Sequence, residues 1–344
     1  MRIFLGLVIL ISAFAIAAGV VLAVDGPPPW AYGFAAPPGP AASAAPAAPA
    51  VPDDGTLRHL PGSTLAFTRT QIRNAFGPAD WYPGDHPPMP DIVAHGRAPD
   101  VRACALCHYP NGKGRPENSG VSGLPYAYFM QTMADFKNGN RKSADPRKPN
   151  TKLMADFAKA MTDGEIMASA VYFGAMKWTP WIRVVETNTV PKTRIQNGMF
   201  LRLEGNEKEP IGQRIIETPE NTEGTELLRD ARSGFIAYVP VGSIKRGEAL
   251  VMNGGGGKTT ACGVCHGANL EGLGPVPGLA GRSPSYLVRQ MYDMQQGFRT
   301  GTWTDLMKPV VAKLNAMDML AIAAYTASRP VGPPAQQELQ SAGR

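Results

Sequence analysis

The chain has 344 residues, 44% of them apolar and 18% charged, a balance that suits two or three globular domains and excludes a disordered or collagenous chain. Four cysteines are too few for a disulfide scaffold at this length, while 38 glycines and 33 prolines point to a loop-rich architecture. The net charge of +6, from 34 basic and 28 acidic residues, favours acidic partners but is too mild to argue for nucleic acid.

In chain order, residues 1–24 come first. After Met1-Arg2 the run from Ile3 to Val24 carries no charge and, as a helix, reaches roughly the 30 Å of a bilayer core. It reads as an export signal or an N-terminal membrane anchor: Val21-Leu22-Ala23 resembles a processing site, yet the apolar run is long for a signal peptide. The protein is therefore expected in the periplasm, soluble or tethered. Residues 25–58 read as an Ala/Pro-rich linker. With 10 Ala and 9 Pro among the 26 residues from Pro27 to Pro52, this segment is expected to be an extended spacer without a continuous helix or a core.

All the cysteines then fall in two motifs, Cys104-Ala105-Leu106-Cys107-His108 and Cys262-Gly263-Val264-Cys265-His266. Two thiols three apart add across the two vinyl groups of one haem, and the next residue places an imidazole under the iron. Zinc would need four converging nitrogen or sulfur ligands, and a disulfide within Cys-x-x-Cys leaves the repeated histidine unexplained. The chain thus predicts two covalently bound haem c groups, with His108 and His266 as metal ligands.

An offset of 158 residues superimposes the two motifs and pairs Gly123 with Gly281, Tyr128 with Tyr286, Met133 with Met291, Asp135 with Asp293 and Arg141 with Arg299. The offset then becomes 153, pairing Met154 with Met307 and Tyr172 with Tyr325, so the first copy carries five extra residues near Lys142 to Asn150. In each copy a helix is predicted from Tyr128 and from Ser285 or Tyr286, and a last helix after the capping signals Thr162-Asp163-Gly164-Glu165 and Asn315-Ala316-Met317-Asp318. Met133 and Met291 have the spacing of an inward helix face and are read as core.

The chain resembles the tandem di-haem class I cytochromes c of bacteria. The resemblance implies a mainly α fold with two such domains, at 59–176 and 241–330, followed by a C-terminal tail at 331–344. It implies an iron-ligating methionine in the loop ahead of each last helix; Met307, in Met307-Lys308-Pro309, and Met154 occupy those places. It also implies a proline carbonyl that accepts a hydrogen bond from the proximal histidine. Pro277, in Pro277-Gly278-Leu279-Ala280-Gly281, fits that role, but the first copy has Glu117-Asn118-Ser119-Gly120-Val121-Ser122-Gly123 instead, with no proline at the matching place, so unequal haem environments are expected. Arg141 and Arg299 are candidates to pair with haem propionates, with an ordinary surface role as the rival. Among His59, His86 and His95, a bis-histidine first haem competes with surface or structural roles.

Six basic residues from Lys137 to Lys152 (Lys137, Arg141, Lys142, Arg147, Lys148 and Lys152) face one acid, Asp145, and read as a docking strip for an acidic partner. Residues 177–240 are not repeated and are expected to form a small, partly β connector. The function this implies is electron transfer, not enzymic catalysis, between redox protein partners: a donor dehydrogenase or respiratory complex and an acceptor cytochrome or oxidase. A di-haem peroxidase, or a cytochrome subunit of a periplasmic dehydrogenase, are the competing readings.

Overall fold

The computed structural model describes residues 26–37 and 53–331. The export segment, the middle of the Ala/Pro run and nearly all of the C-terminal tail lie outside the described residues. In chain order the helices of the first half are α1 (Pro29–Tyr32), α2 (Arg69–Ile72), α3 (Asp91–Ala94), α4 (Cys104–His108), α5 (Tyr126–Lys137), α6 (Pro149–Ala160) and α7 (Asp163–Gly174). Strands β1 (Ile182–Glu186), β2 (Thr189–Pro191), β3 (Thr193–Gln196), β4 (Met199–Arg202), β5 (Lys208–Pro210), β6 (Ile216–Pro219) and β7 (Phe235–Val239) follow. The second half holds α8 (Ser243–Asn253), α9 (Gly263–His266), the hairpin β8 (Gly272–Leu273) and β9 (Val276–Pro277), then α10 (Pro284–Gln295), α11 (Thr302–Val311) and α12 (Ala316–Ser328).

The last helix of each copy starts where its capping signal predicts. Thr162 and Glu165 form a reciprocal capping box on α7, as do Asn315 and Asp318 on α12, which satisfies main-chain donors that a helix start leaves open. The preceding α5 and α10 begin two residues ahead of the shared tyrosines, because Pro125 at the N-cap and Pro284 in the first turn preset the backbone for helix entry. Met133 is buried on α5, and Met291 packs against the core of the second domain.

Each copy has its own apolar cluster. One gathers Val101, Phe129, Phe136, Ile166 and Phe173, and the other gathers Leu250, Val288, Leu320 and Tyr325. Between the copies, β7 pairs in parallel with β1 and antiparallel with β6. Val190, Phe200, Ile216 and Val239 from these strands belong to the same cluster as the second domain, so the strands extend its core.

The start of the Ala/Pro run departs from the expected spacer. Pro29 sits in the first turn of α1, Trp30 and Tyr32 are buried, and the Tyr32 hydroxyl donates to Asp293 Oδ1 at 2.7 Å. The aromatic residues explain the difference: Trp30 and Tyr32 supply apolar area that the Ala/Pro stretch beyond them does not.

The two copies meet about a local pseudo-twofold axis. Arg141 and Arg299 face each other in an antiparallel bridge, flanked by Lys142 N–H to Phe298 O and Thr300 N–H to Asn140 O, each at 2.7 Å. Residues 140 and 298 are repeat equivalents, as are 142 and 300, so one copy's bond mirrors the other's. The five extra residues of the first copy lie against the second. Ala144 N–H donates to Asp293 Oδ1, and Asp145 is buried and held by Arg147, whose guanidinium lies 4.0 Å over the Phe34 ring.

This packing breaks up the predicted docking strip: Lys137, Lys142 and Lys152 are exposed, and the other three basic residues are drawn into the fold. Arg141 and Lys148 are buried, and Arg147 is spent on Asp145 and on the carbonyl of Ala36. Burial, reinforced by Arg289, pushes the Lys148 ammonium down to about 7. Lys142 alone of Lys142, Arg147 and Lys148 is exposed. The insertion that looked like a solvated basic loop is domain–domain contact.

Candidate functional site

The first Cys-x-x-Cys-His motif is the single helical turn α4, and the second is α9 with Cys262 as its N-cap, so each places its two thiols and its imidazole on one short stretch of chain. Nδ1–H of His108 donates to Ser119 O at 2.9 Å, and Nδ1–H of His266 donates to Pro277 O at 2.7 Å. The reach is eleven residues in both copies. With Nδ1 committed, Nε2 is the nitrogen left to a metal, and the carbonyl both orients the ring and raises its basicity. Burial pushes both imidazoles below the usual histidine range, partly offset by these hydrogen bonds, and so favours the neutral form that ligates iron.

Ser119 was invisible to the proline pattern because a main-chain carbonyl carries no side-chain signature. The signal that could have found it is the 158-residue offset, which takes position 277 to position 119. The two carbonyls are held differently. Pro277 ends the tight β8–β9 hairpin, whereas the Ser119 loop is held from the other copy by Arg289, which donates to Pro116 O at 2.7 Å, and to its own motif by Asn118, which donates to Cys107 O.

Both candidate sulfur ligands lie in helices, not in the loops expected from the resemblance. Pro149 in the first turn of α6 carries the helix through Met154, and α11 contains both Met307 and Pro309. The helical setting still directs them inward. Met154 shares a face with buried Ala158 and Met161, and Met307 lies between buried Thr304 and Val311 at helical spacing. Met154 packs against the cluster that also receives Cys104, and Met307 against the one that receives Cys262. No three His, Cys, Asp or Glu side chains converge as a ligand set among the described residues, so the zinc reading gains no support. Both ring nitrogens of His86 are bonded, to Asp80 and to Pro87 O, and His59 and His95 are exposed.

At the domain junction, Arg141 donates to the Tyr286 hydroxyl and Arg299 to the Tyr128 hydroxyl, each at 3.0 Å. Gln290 Oε1 accepts from both guanidiniums. Each copy's arginine thus binds the other copy's tyrosine. The Arg299 Nε is buried without a protein acceptor, a donor that a carboxylate such as a haem propionate would satisfy.

The motif surroundings differ in exposure. Leu106 of the first motif is half-buried, whereas its repeat equivalent Val264 is 69% exposed and Leu273 of the adjoining hairpin 58%.

A mainly helical pair of repeats, each with a Cys-x-x-Cys-His turn and a carbonyl-anchored imidazole, defines a two-domain c-type cytochrome. No family model matches the chain. Cytochrome c4 of Azotobacter vinelandii is 32% identical over 228 residues, covering 64% of this chain and 82% of that protein. Cytochrome c4 of Stutzerimonas stutzeri is 29% identical over 132 residues and that of Pseudomonas aeruginosa 40% over 76. The chain spans 61% and 36% of the length of those two relatives and they cover 34% and 22% of it. Among solved structures, cytochrome c4 of Acidithiobacillus ferrooxidans superposes with a TM-score of 0.42 at 20% identity, over 65% of this chain and 97% of that one. Thiosulfate dehydrogenase (TsdBA) of Marichromatium purpuratum gives 0.45 at 24%, over 70% and 39%. The chain belongs to the cytochrome c4 family of di-haem class I cytochromes, and its cofactors are two covalently bound haem c groups.

Proposed function

We propose that this chain is an exported, periplasmic electron carrier and not an enzyme, with one haem in each of the domains 59–176 and 241–330 and the connector 177–240 between them. Cys104 and Cys107 hold the first haem and Cys262 and Cys265 the second. His108 with Met154, and His266 with Met307, are the axial ligands, and Arg141 and Arg299 serve the propionates. The observation that carries this reading is the eleven-residue reach from each motif imidazole to its carbonyl, which leaves Nε2 for iron in both copies. When bound, the haems supply one-electron exchange between ferrous and ferric iron. The chain's part is to orient the two imidazoles, keep them neutral and exclude water with the apolar clusters around the motifs.

The test is a visible spectrum of the purified protein in both redox states with a haem count. Two haems per chain and a weak ferric band near the red end of the visible are expected. A high-spin ferric spectrum would move the protein to the peroxidase class.

The exposed second motif is the proposed point of exchange with protein partners, because encounter surfaces for electron transfer are small and need an accessible haem edge. Val264→Asp combined with Leu273→Asp is expected to slow reduction by a protein donor about tenfold, as a desolvated contact of order 1–3 kcal/mol is lost, and to leave reduction by dithionite unchanged. Stopped-flow traces with both reductants decide it; equal rates with the protein donor would place exchange elsewhere.

A further inference from the structure

Arg282 follows the hairpin that carries Pro277, and its repeat position in the first copy is Leu124, so the two halves share one such arginine. Its side chain is buried, with 6% of the residue exposed. Nε donates to Gly278 O at 2.8 Å within its own domain, while Nη1 donates to Gly120 O at 2.9 Å and Nη2 to Ser122 O at 3.2 Å in the other. Gly278 is the neighbour of Pro277, which accepts from His266, and Gly120 is the neighbour of Ser119, which accepts from His108. One guanidinium therefore touches both of the loops that orient the motif imidazoles.

The surroundings are built for this crossing. The Trp178 ring lies 4.4 Å from the Arg282 guanidinium, and its Nε1–H donates to Ala280 O at 3.1 Å. A Cβ on Gly120 would come within 2.6 Å of that ring, so the first loop needs glycine to sit against it. All three Arg282 hydrogen bonds go to main-chain carbonyls, not to a carboxylate, so a buried positive charge stands between the loops without a hydrogen-bonded counter-charge. Such a charge disfavours the ferric state, which is one charge more positive than the ferrous, and its effect is strong where water is excluded.

We propose that Arg282 is a positioning residue shared by both haem sites, fixing the carbonyls of Ser119 and Pro277 and raising both reduction potentials together. This rests on His108 and His266 being the axial imidazoles. It differs from the Arg141–Arg299 contact, which joins the domains through tyrosine hydroxyls and Gln290.

The experiment uses the full chain carrying both haems, with haem-resolved redox titration and the hyperfine-shifted imidazole proton resonances of the ferric protein as readouts. In Arg282→Gln both midpoint potentials are expected to shift negative and both sets of imidazole resonances to move. Arg282→Lys keeps the charge but loses the fork, so both potentials should stay closer to the parent while both sets of resonances still move. If either variant alters the second site alone, or neither site, the shared role is overturned. Should Arg282→Gln not fold, Arg282→Lys decides by the same criterion. Failure of the ligand assignment itself would appear earlier and separately, as a parent protein without two low-spin haems.

Discussion

Met307→Ala should remove about half of the weak ferric band near the red end of the visible and lower one of the two reduction potentials by a substantial part of the ~0.8 V that axial ligands span. The sign follows from the thioether, which stabilises ferrous iron; its loss favours the ferric state. Met307 is partly buried against the second domain's cluster, between Thr304 and Val311 on the inward face of α11. Alanine at this position keeps the helix, since it is the strongest helix former, so the spectral change is separable from unfolding. Met154→Ala makes the parallel case for the first domain, where the sulfur lies on α6 near Ala158 and Met161. Each variant should affect one haem and leave the other's band intact. A Met307→Ala protein with an unchanged spectrum would reduce Met307 to core filler, and nearby Met291 or Met294 would have to be tested in its place.

The parts of this molecule that were legible in the sequence are those in which a side chain announces itself. The Cys-x-x-Cys-His motifs, the repeat offset, the capping boxes at Thr162 and Asn315 and the inward Met133 all depend on residue type at fixed spacing; the capping boxes and the burial of Met133 are found as read. What was illegible depends on tertiary partners. Ser119 acts through its main chain. The basic strip looked solvated because its acceptors, Asp145 and the carbonyls at 36 and 37, are arranged only by the fold. Tyr32 finds Asp293 across 261 positions, a contact that no local composition encodes. Arg282 stands where the first copy has Leu124 and, like the five-residue insertion, departs from the repeat at the junction of the two halves.

Two helical glycines should respond to alanine with opposite signs, and the contrast tests how the second haem domain is held. A Cβ built on Gly247 of α8 would stand 2.0 Å from Ala321 O and 2.7 Å from Tyr325 Cβ on α12. Both are rigid helix groups that cannot swing aside, so α8 and α12 must move apart. Overpacking a close helix contact of this kind costs about 3 kcal/mol or more, well above the 0.5–1 kcal/mol that alanine gains over glycine inside a helix. On α7 of the other domain, a Cβ on Gly164 would meet nothing closer than Thr162 Oγ1 at 4.0 Å, and Gly164→Ala should therefore stabilise by about 0.5 kcal/mol. Denaturant unfolding followed at the haem band and by far-ultraviolet circular dichroism measures both. For Gly247→Ala the second domain should open first, and its Met–iron band should be lost at lower denaturant than the first domain's, because α12 carries Leu320, Tyr325 and the rest of the wall against which Met307 and Cys262 pack. Equal midpoints for Gly247→Ala and the parent would mean that the α8–α12 crossing has slack, and that the second domain's stability resides in its contacts with the strands of 182–239 instead.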